Sequence, residues 1–134
     1  AIQEKIALGA KLFVTIDNGV KANKEIDEIR KRGCMSVVLD HHQPGDVLPN
    51  ADALIDLWVE GETYPFRELT GSGLAWKIAC YLLTQIDEYD YGMSLVDLAA
   101  IGTVADVAPL IGENRSTGQL LFLLILSAGE AAKR

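Results

Sequence analysis

Positive charge is scarce in this sequence. Twelve lysines and arginines stand against 19 aspartates and glutamates, a formal net charge of −7. That balance excludes a protein that grips nucleic acid mainly through a broad cationic surface. A nuclease stays open, because acidic metal ligands add negative charge that bound divalent cations offset. Cysteine is scarce too. Cys34 and Cys80 lie far apart with no C-x-x-C spacing. They read as small buried hydrophobes in a reducing cytoplasm, not as a disulfide or a zinc site. Long apolar runs are missing: Leu120–Leu126 is the longest, against the roughly 20 residues that cross a bilayer. The first residues lack the basic-then-apolar pattern of a signal peptide. There is no initiator Met, so the chain is expected to be a piece of something longer. No repeat or low-complexity tract interrupts it. No GxGxxG follows either early strand, which sets aside a dinucleotide-binding module.

What is present is enough for one core. The chain has 134 residues, 49% hydrophobic and 23% charged, a size that forms one compact core and falls short of two ordinary domains. A short helix over roughly Ile2–Leu8 leads through Gly9 to an apolar, β-branched run, Lys11–Ile16, which predicts a buried strand. Asp17-Asn18-Gly19 is a turn signal. Ile26 and Ile29 give helical spacing within Lys21–Arg32, and Gly33 supplies the stop. A second buried strand, Met35–Leu39, runs into Asp40, His41 and His42. Strand, helix and strand predict a parallel βαβ unit, nearly always right-handed. Ala53–Ile55 is a third short apolar stretch. Residues 57–69 read as a loop pinned by Trp58, Tyr64 and Phe66. Thr70 is a plausible N-cap for a helix over about Gly71–Ile86, with Leu74, Ile78, Tyr81 and Leu82 in helical period. A further helix starts after Ser94 and reaches about Thr103, and the tail from Asn114 is helical. The fold class is therefore α/β: a Rossmann-like parallel sheet flanked by helices over residues 1–56, then a mainly helical second half over 70–134.

In open parallel sheets, ligands gather outside the carboxyl ends of the strands. Two strand ends bring Asp17 and the Asp40-His41-His42 triplet to that edge, and these two histidines are the only ones in the chain. Asp106 joins them as a third candidate, placed where Pro109 limits continuation of a helix. Carboxylate with imidazole suits manganese, magnesium or iron better than a thiolate-seeking metal. Two such cations about 3.5–4 Å apart activate a water and stabilise both oxygens of a phosphoryl displacement. Asp17 is the candidate bridge between them. Each residue also has a plainer reading: Asp17 as a turn residue, the histidines as part of a loop hydrogen-bond network, Asp106 as a helix-terminal residue. Spacing alone points to a metal site and names no substrate.

Longer strings narrow this. VLDHHQP (Val38–Pro44) resembles the signature of the DHH phosphoesterase family, and VTIDNG (Val14–Gly19) resembles that family's second motif. LPNA (Leu48–Ala51), YPF (Tyr64–Phe66) and LTGSGLAWK (Leu69–Lys77) are similar to later stretches of its single-strand-specific exonuclease branch. AIGTVADVAPL (Ala100–Leu110) with GENR (Gly112–Arg115) resembles the fourth motif. These stretches occur in the family's order along the chain, and the match spans about residues 10–116.

The resemblance implies that Asp17, His41 and Asp106 bind metal, with Asp17 touching both ions. It implies that His42 contacts the scissile phosphate and that Asp40 orients the histidines by hydrogen bonding. Arg115 becomes a candidate phosphate contact, with a salt bridge as the alternative. Gly71 and Gly73 open a helix whose N–H groups could face a phosphate, with close backbone packing as the alternative. The branch uses Mn2+ or Mg2+ to degrade single-stranded DNA from the 5′ end in DNA repair and recombination. The expected partners are therefore single-stranded DNA and other repair or replication proteins, in the cytoplasm and not at a membrane. Two readings compete: a family phosphodiesterase of short oligonucleotides or cyclic dinucleotides, and a non-catalytic scaffold in a replication complex.

Two departures follow. The family's first motif, an Asp-x-Asp pair, and its C-terminal domain do not occur here, so the chain alone is expected to be a partial DHH domain, close to inactive. A sheet without its first strands is expected to expose an edge and an apolar face. Ile55-Asp56-Leu57 also stands where the branch typically has Asn-Pro, and the tail after Arg115 loses the pattern.

Overall fold

The computed structural model describes residues 2–131, and the side chains of residue 121 and of residues 123–131 lie outside that description. No helix among the described residues is long and apolar enough to cross a membrane. The chain divides into two compact units, residues 1–67 and 68–134.

The first unit is α1 (Ile2–Ala7), β1 (Leu12–Ile16), α2 (Asn23–Lys31), β2 (Met35–Asp40) and β3 (Ala53–Asp56). The strands form one parallel sheet in the order β1-β2-β3. Register pairs Val14 with Val37, Val38 with Leu54 and Asp40 with Asp56. Side chains alternate across a strand, so Phe13, Val38 and Leu54 share one face. There they pack with Ile26 and Ile29 of α2, Cys34, and Ile2 and Ile6 of α1. Burying a side chain such as Ile26 contributes about 1.5–3 kcal/mol, and two such anchors set α2 against the sheet.

The opposite face departs from expectation. Lys11–Ile16 reads as a buried strand, yet Leu12, Val14 and Ile16 each stay about half exposed, as does Met35 beside them. β1 is an edge strand, and within the described residues of the first unit its second face lacks the helical cover that makes parallel strands apolar on both sides. The sequence pattern records a strand meant to be covered twice. It does not say by what.

The second unit is helical: α3 (Gly71–Thr84), α4 (Tyr89–Ser94), α5 (Val96–Ala105) and α6 (Gly112–Ala131). Thr70 caps α3, its Oγ1 accepting from Gly73 N at 3.1 Å. The α3–α5 crossing is close because Gly102 lacks a side chain: a Cβ there would overlap Ser72 Oγ and Cβ. Thr103 Oγ1 lies 3.2 Å from Thr70 Oγ1 and donates to Ala99 O, so the buried hydroxyls are satisfied. Leu74, Val96, Ala99 and Ala100 form the apolar contact.

Two expectations change here. α4 is an extra helix, a six-residue turn held by Trp76 Nε1 donating to Gly92 O at 2.9 Å; at that length it has no periodicity to detect. Tyr81 and Leu82 continue the helical period of Leu74 but are exposed, because burial on α3 is confined to its first turns. The loop of residues 57–69 is present, with Trp58, Tyr64 and Phe66 half-buried. Its clearest ties are carboxylates: Asp56 Oδ1 accepts from Trp58 N, and Glu62 Oε1 from Thr63 N and Tyr64 N.

Candidate metal centre

β1 and β2 are neighbours, so their carboxyl ends emerge side by side. Asp17 N still donates to Leu39 O at 2.9 Å, carrying the ladder one residue past β1. There the chain turns sharply: Asp17 sits at φ 64°, the left-handed region that Asp tolerates better than most residues. Gly19 follows at φ 119°, pressed so close to the sheet that a Cβ would lie 2.5 Å from Thr15 Oγ1 and 3.0 Å from Val38 Cγ1. Only glycine fits both the angle and the space.

Asp40 is the fixed point of this edge. It is 1% exposed, and its Oδ2 accepts from Val20 N at 2.9 Å. Its Oδ1 accepts from His41 N at 2.8 Å and His42 N at 3.3 Å, and lies 2.7 Å from His42 Nδ1. One carboxylate therefore ties the turn after β1 to both histidines. Burial pushes its pKa up, but hydrogen bonds from Val20, His42 and His41 outweigh that and leave it lowered. The group is thus ionised near neutrality and can only accept. His42 must then carry a proton on Nδ1.

Around this anchor the ligand-type atoms converge. His41 Nε2 lies 2.8 Å from Asp17 Oδ1, with His41 largely buried and the Asp17 side chain 57% exposed. The His41 and His42 rings stand 4.7 Å apart, tilted at 56°. Ligand atoms of Asp17, His41 and His42 all fall within 4.8 Å of one another. A carboxylate and two imidazoles that close form a donor set that fits a first-row divalent cation such as manganese.

The other predicted residues lie in the second unit. Asp106 is the C-cap of α5, its N–H donating to Gly102 O at 2.9 Å, and Val107 after it takes φ 56°. A β-branched residue there is strained, so the helix stops abruptly at the carboxylate. Arg115 is exposed on the first turn of α6 and makes no ion pair among the described residues. Gly73 gives its N–H to Thr70 Oγ1, and a Cβ would sit 3.3 Å from Leu69 Cδ2. That is the close-packing alternative. Gly71 is buried at the same helix start.

Asp56 escaped the sequence reading as a site residue. It ends β3 in register with Asp40 and is 2% exposed. Its Oδ1 accepts from Trp58 N, while its buried Oδ2 has no hydrogen bond among the described residues. Burial, with the Asp40 charge adding to it, raises its pKa despite the Trp58 hydrogen bond and the nearby histidines. A signal for it existed: three apolar runs in succession each close on an aspartate.

Residues 1–103 match the family described as DHH family, N-terminal domain. The chain belongs to the DHH family. Among curated relatives of this DHH chain, the single-stranded-DNA-specific exonuclease RecJ of Bacillus subtilis (strain 168) is 42% identical over 107 residues, 80% of this chain and 13% of that protein. RecJ of Escherichia coli (strain K12) is 37% identical over 124 residues, 85% of this chain and 22% of that protein. A crystal structure of exonuclease RecJ bound to manganese superposes with a TM-score of 0.70 at 31% identity, covering 87% of this chain and 29% of that one. RecJ from Thermus thermophilus in complex with Mn2+ gives 0.69 at 31%, covering 87% and 17%. The DHH chain thus spans a small fraction of these relatives. Asp106 falls just past the residues the family description matches.

Proposed function

We propose that this chain is part of the catalytic domain of a metal-dependent DHH phosphodiesterase that degrades single-stranded DNA from the 5′ end. The observation that carries the proposal is the meeting of Asp17 and His41 at 2.8 Å on adjacent strand ends, in a chain whose relatives are RecJ exonucleases. In this reading Asp17, His41 and Asp106 would hold Mn2+ or Mg2+, and Asp17 would be the residue to contact both ions. The cations, when bound, supply an activated water and charge stabilisation for displacement at phosphorus. Two ions need more ligands than three side chains offer, so water and further groups complete the set. Asp40 holds the imidazoles in orientation. When protonated, His42 keeps Nδ1–H on Asp40 and offers Nε2–H to a phosphate oxygen. Arg115 is a second candidate for a phosphate contact. The setting is cytoplasmic DNA repair and recombination, beside other repair or replication proteins.

The test uses the complete polypeptide with manganese. Long single strands, dinucleotides and cyclic dinucleotides are compared, with products followed from each labelled end. The expected result is release of mononucleotides from the 5′ end of long strands, lost in Asp17→Asn and His41→Ala. Cleavage confined to dinucleotides would move the protein to the short-oligonucleotide reading. Metal-independent association with a replication protein, and no cleavage of any substrate, would favour the scaffold.

A further inference from the structure

A hollow of about 360 Å3 opens beside the candidate centre, lined by Asn18, Val20, Lys21, Glu25, Asp40 and His42 among others. It shares Asp40 and His42 with the edge described above, so whatever occupies it adjoins whatever occupies the centre. Its volume sits at the small end of the range for ligand pockets, room for one nucleotide unit and too little for a duplex. The wall is set in advance by three ties. Val20 N is fixed to Asp40, Ala22 N donates to Gly19 O at 2.9 Å, and Asn23 Nδ2 donates to Val47 O at 3.0 Å. A pocket whose shape is held without its ligand loses little order on binding.

The charges have a direction. Asp40 is covered by four hydrogen bonds, which disperse its charge. Lys21 is the cation among the lining residues, and it makes no ion pair among the described residues. Glu25 lines the same hollow and opposes any anion there. A polymer with one phosphate at the centre must place the next one a nucleotide away, and a lysine with no carboxylate partner is an available counter-charge.

We propose that the hollow receives the nucleotide next to the scissile phosphate, with Lys21 Nζ binding that neighbour's phosphate. This inference rests on the phosphodiesterase reading above. Lys21 recognises the backbone and not the base, so its contribution is independent of sequence and sensitive to salt.

The test measures KM for single-stranded DNA hydrolysis by the complete polypeptide with manganese, on substrates lacking one charge at a time. One substrate lacks the 5′-terminal phosphate, and the other carries a neutral methylphosphonate at the linkage 3′ of the scissile one. Lys21→Met is expected to raise KM about tenfold, the scale of one charged hydrogen bond, and to lower the salt slope by about one. Lys21→Arg should restore most of this, and Glu25→Gln should lower KM. One of the two substrates should raise KM for the wild type and have no further effect on Lys21→Met. Calorimetric manganese affinity should match the wild type in both lysine variants, which also reports intact folding. Unchanged KM in Lys21→Met, or independent effects of substitution and both modified substrates, would overturn the assignment while leaving the phosphodiesterase reading intact. Absence of hydrolysis by the wild type on every single strand would strike that reading itself and remove this one with it.

Discussion

The two units bury polar groups for different ends. In the helical unit, Thr70, Thr103 and Asn114 are buried, and their bonds serve packing: a cap, a helix crossing, and Asn114 Nδ2 donating to Glu68 O and Pro109 O. In the α/β unit the buried polar groups include Asp40 and Asp56 at the carboxyl ends of β2 and β3. Charge is costly to bury, so a pair of carboxylates kept there calls for a reason beyond packing. Asp40 has one in the four hydrogen bonds that hold the turn and the histidines. The difference teaches where to look for chemistry: at the edge where the fold tolerates ionisable groups inside, and less among hydroxyls that merely complete helix contacts.

The sharpest way to break this contrast is Asp40→Ala. It strips acceptors from Val20, His41 and His42 at once, and leaving buried groups unpaired costs about 1–3 kcal/mol each. A loss of about 3–5 kcal/mol in urea unfolding is expected, together with loss of manganese binding. Its counterpart is Gly92→Ala in the second unit, on α4 and away from Asp106 in the chain. The added methyl meets Cys80 and Leu83, and overpacking of this kind costs about 1–3 kcal/mol. Manganese binding through Asp17 and His41 should survive it, provided unfolding experiments show a folded protein. Equal damage to metal affinity by both substitutions would erase the distinction drawn here.

Smaller effects come from pH. Asp40 has a lowered pKa, so its stabilising contribution is present above the unfolded value of about 3.9 and is lost as pH falls through its folded value. Asp56 has a raised pKa, so its contribution is present below about 3.9 and is lost as pH rises through its folded value. Asp40→Asn should therefore flatten the acid limb of a stability profile. Asp56→Asn should stabilise the protein near neutral pH and change little at pH 3. Parallel profiles for the two variants would show that the aspartates do not sit in opposed environments.

Much of the α/β unit was legible because its signals are local. Apolar runs of five or six residues broken by Gly9, Gly19 and Gly33 mark β1, α2 and β2 within a residue or two of their ends. Asp17, His41 and His42 could be placed together because parallel neighbours share a carboxyl edge. Thr70 announced its helix, since a hydroxyl before Gly71-Ser72-Gly73 has little else to cap. What escaped depended on tertiary surroundings. The exposure of Leu12, Val14 and Ile16 follows from which faces are covered, and their side chains carry no record of that. Asp56 was not read as a site residue, because its burial at the end of β3 is a property of the folded sheet and not of the residues beside it in sequence. Asp40 was expected to orient histidines, yet its bond to Val20 N depends on the angle at Asp17, which composition does not encode.

The most direct measurement is calorimetric titration of manganese into the wild type, Asp17→Asn, His41→Ala and Gly92→Ala, each checked for cooperative unfolding. Saturable binding by the wild type and Gly92→Ala, with loss of at least tenfold in affinity for both Asp17→Asn and His41→Ala, is the expected result. Unchanged affinity in folded Asp17→Asn and His41→Ala would contradict the metal centre at the ends of β1 and β2.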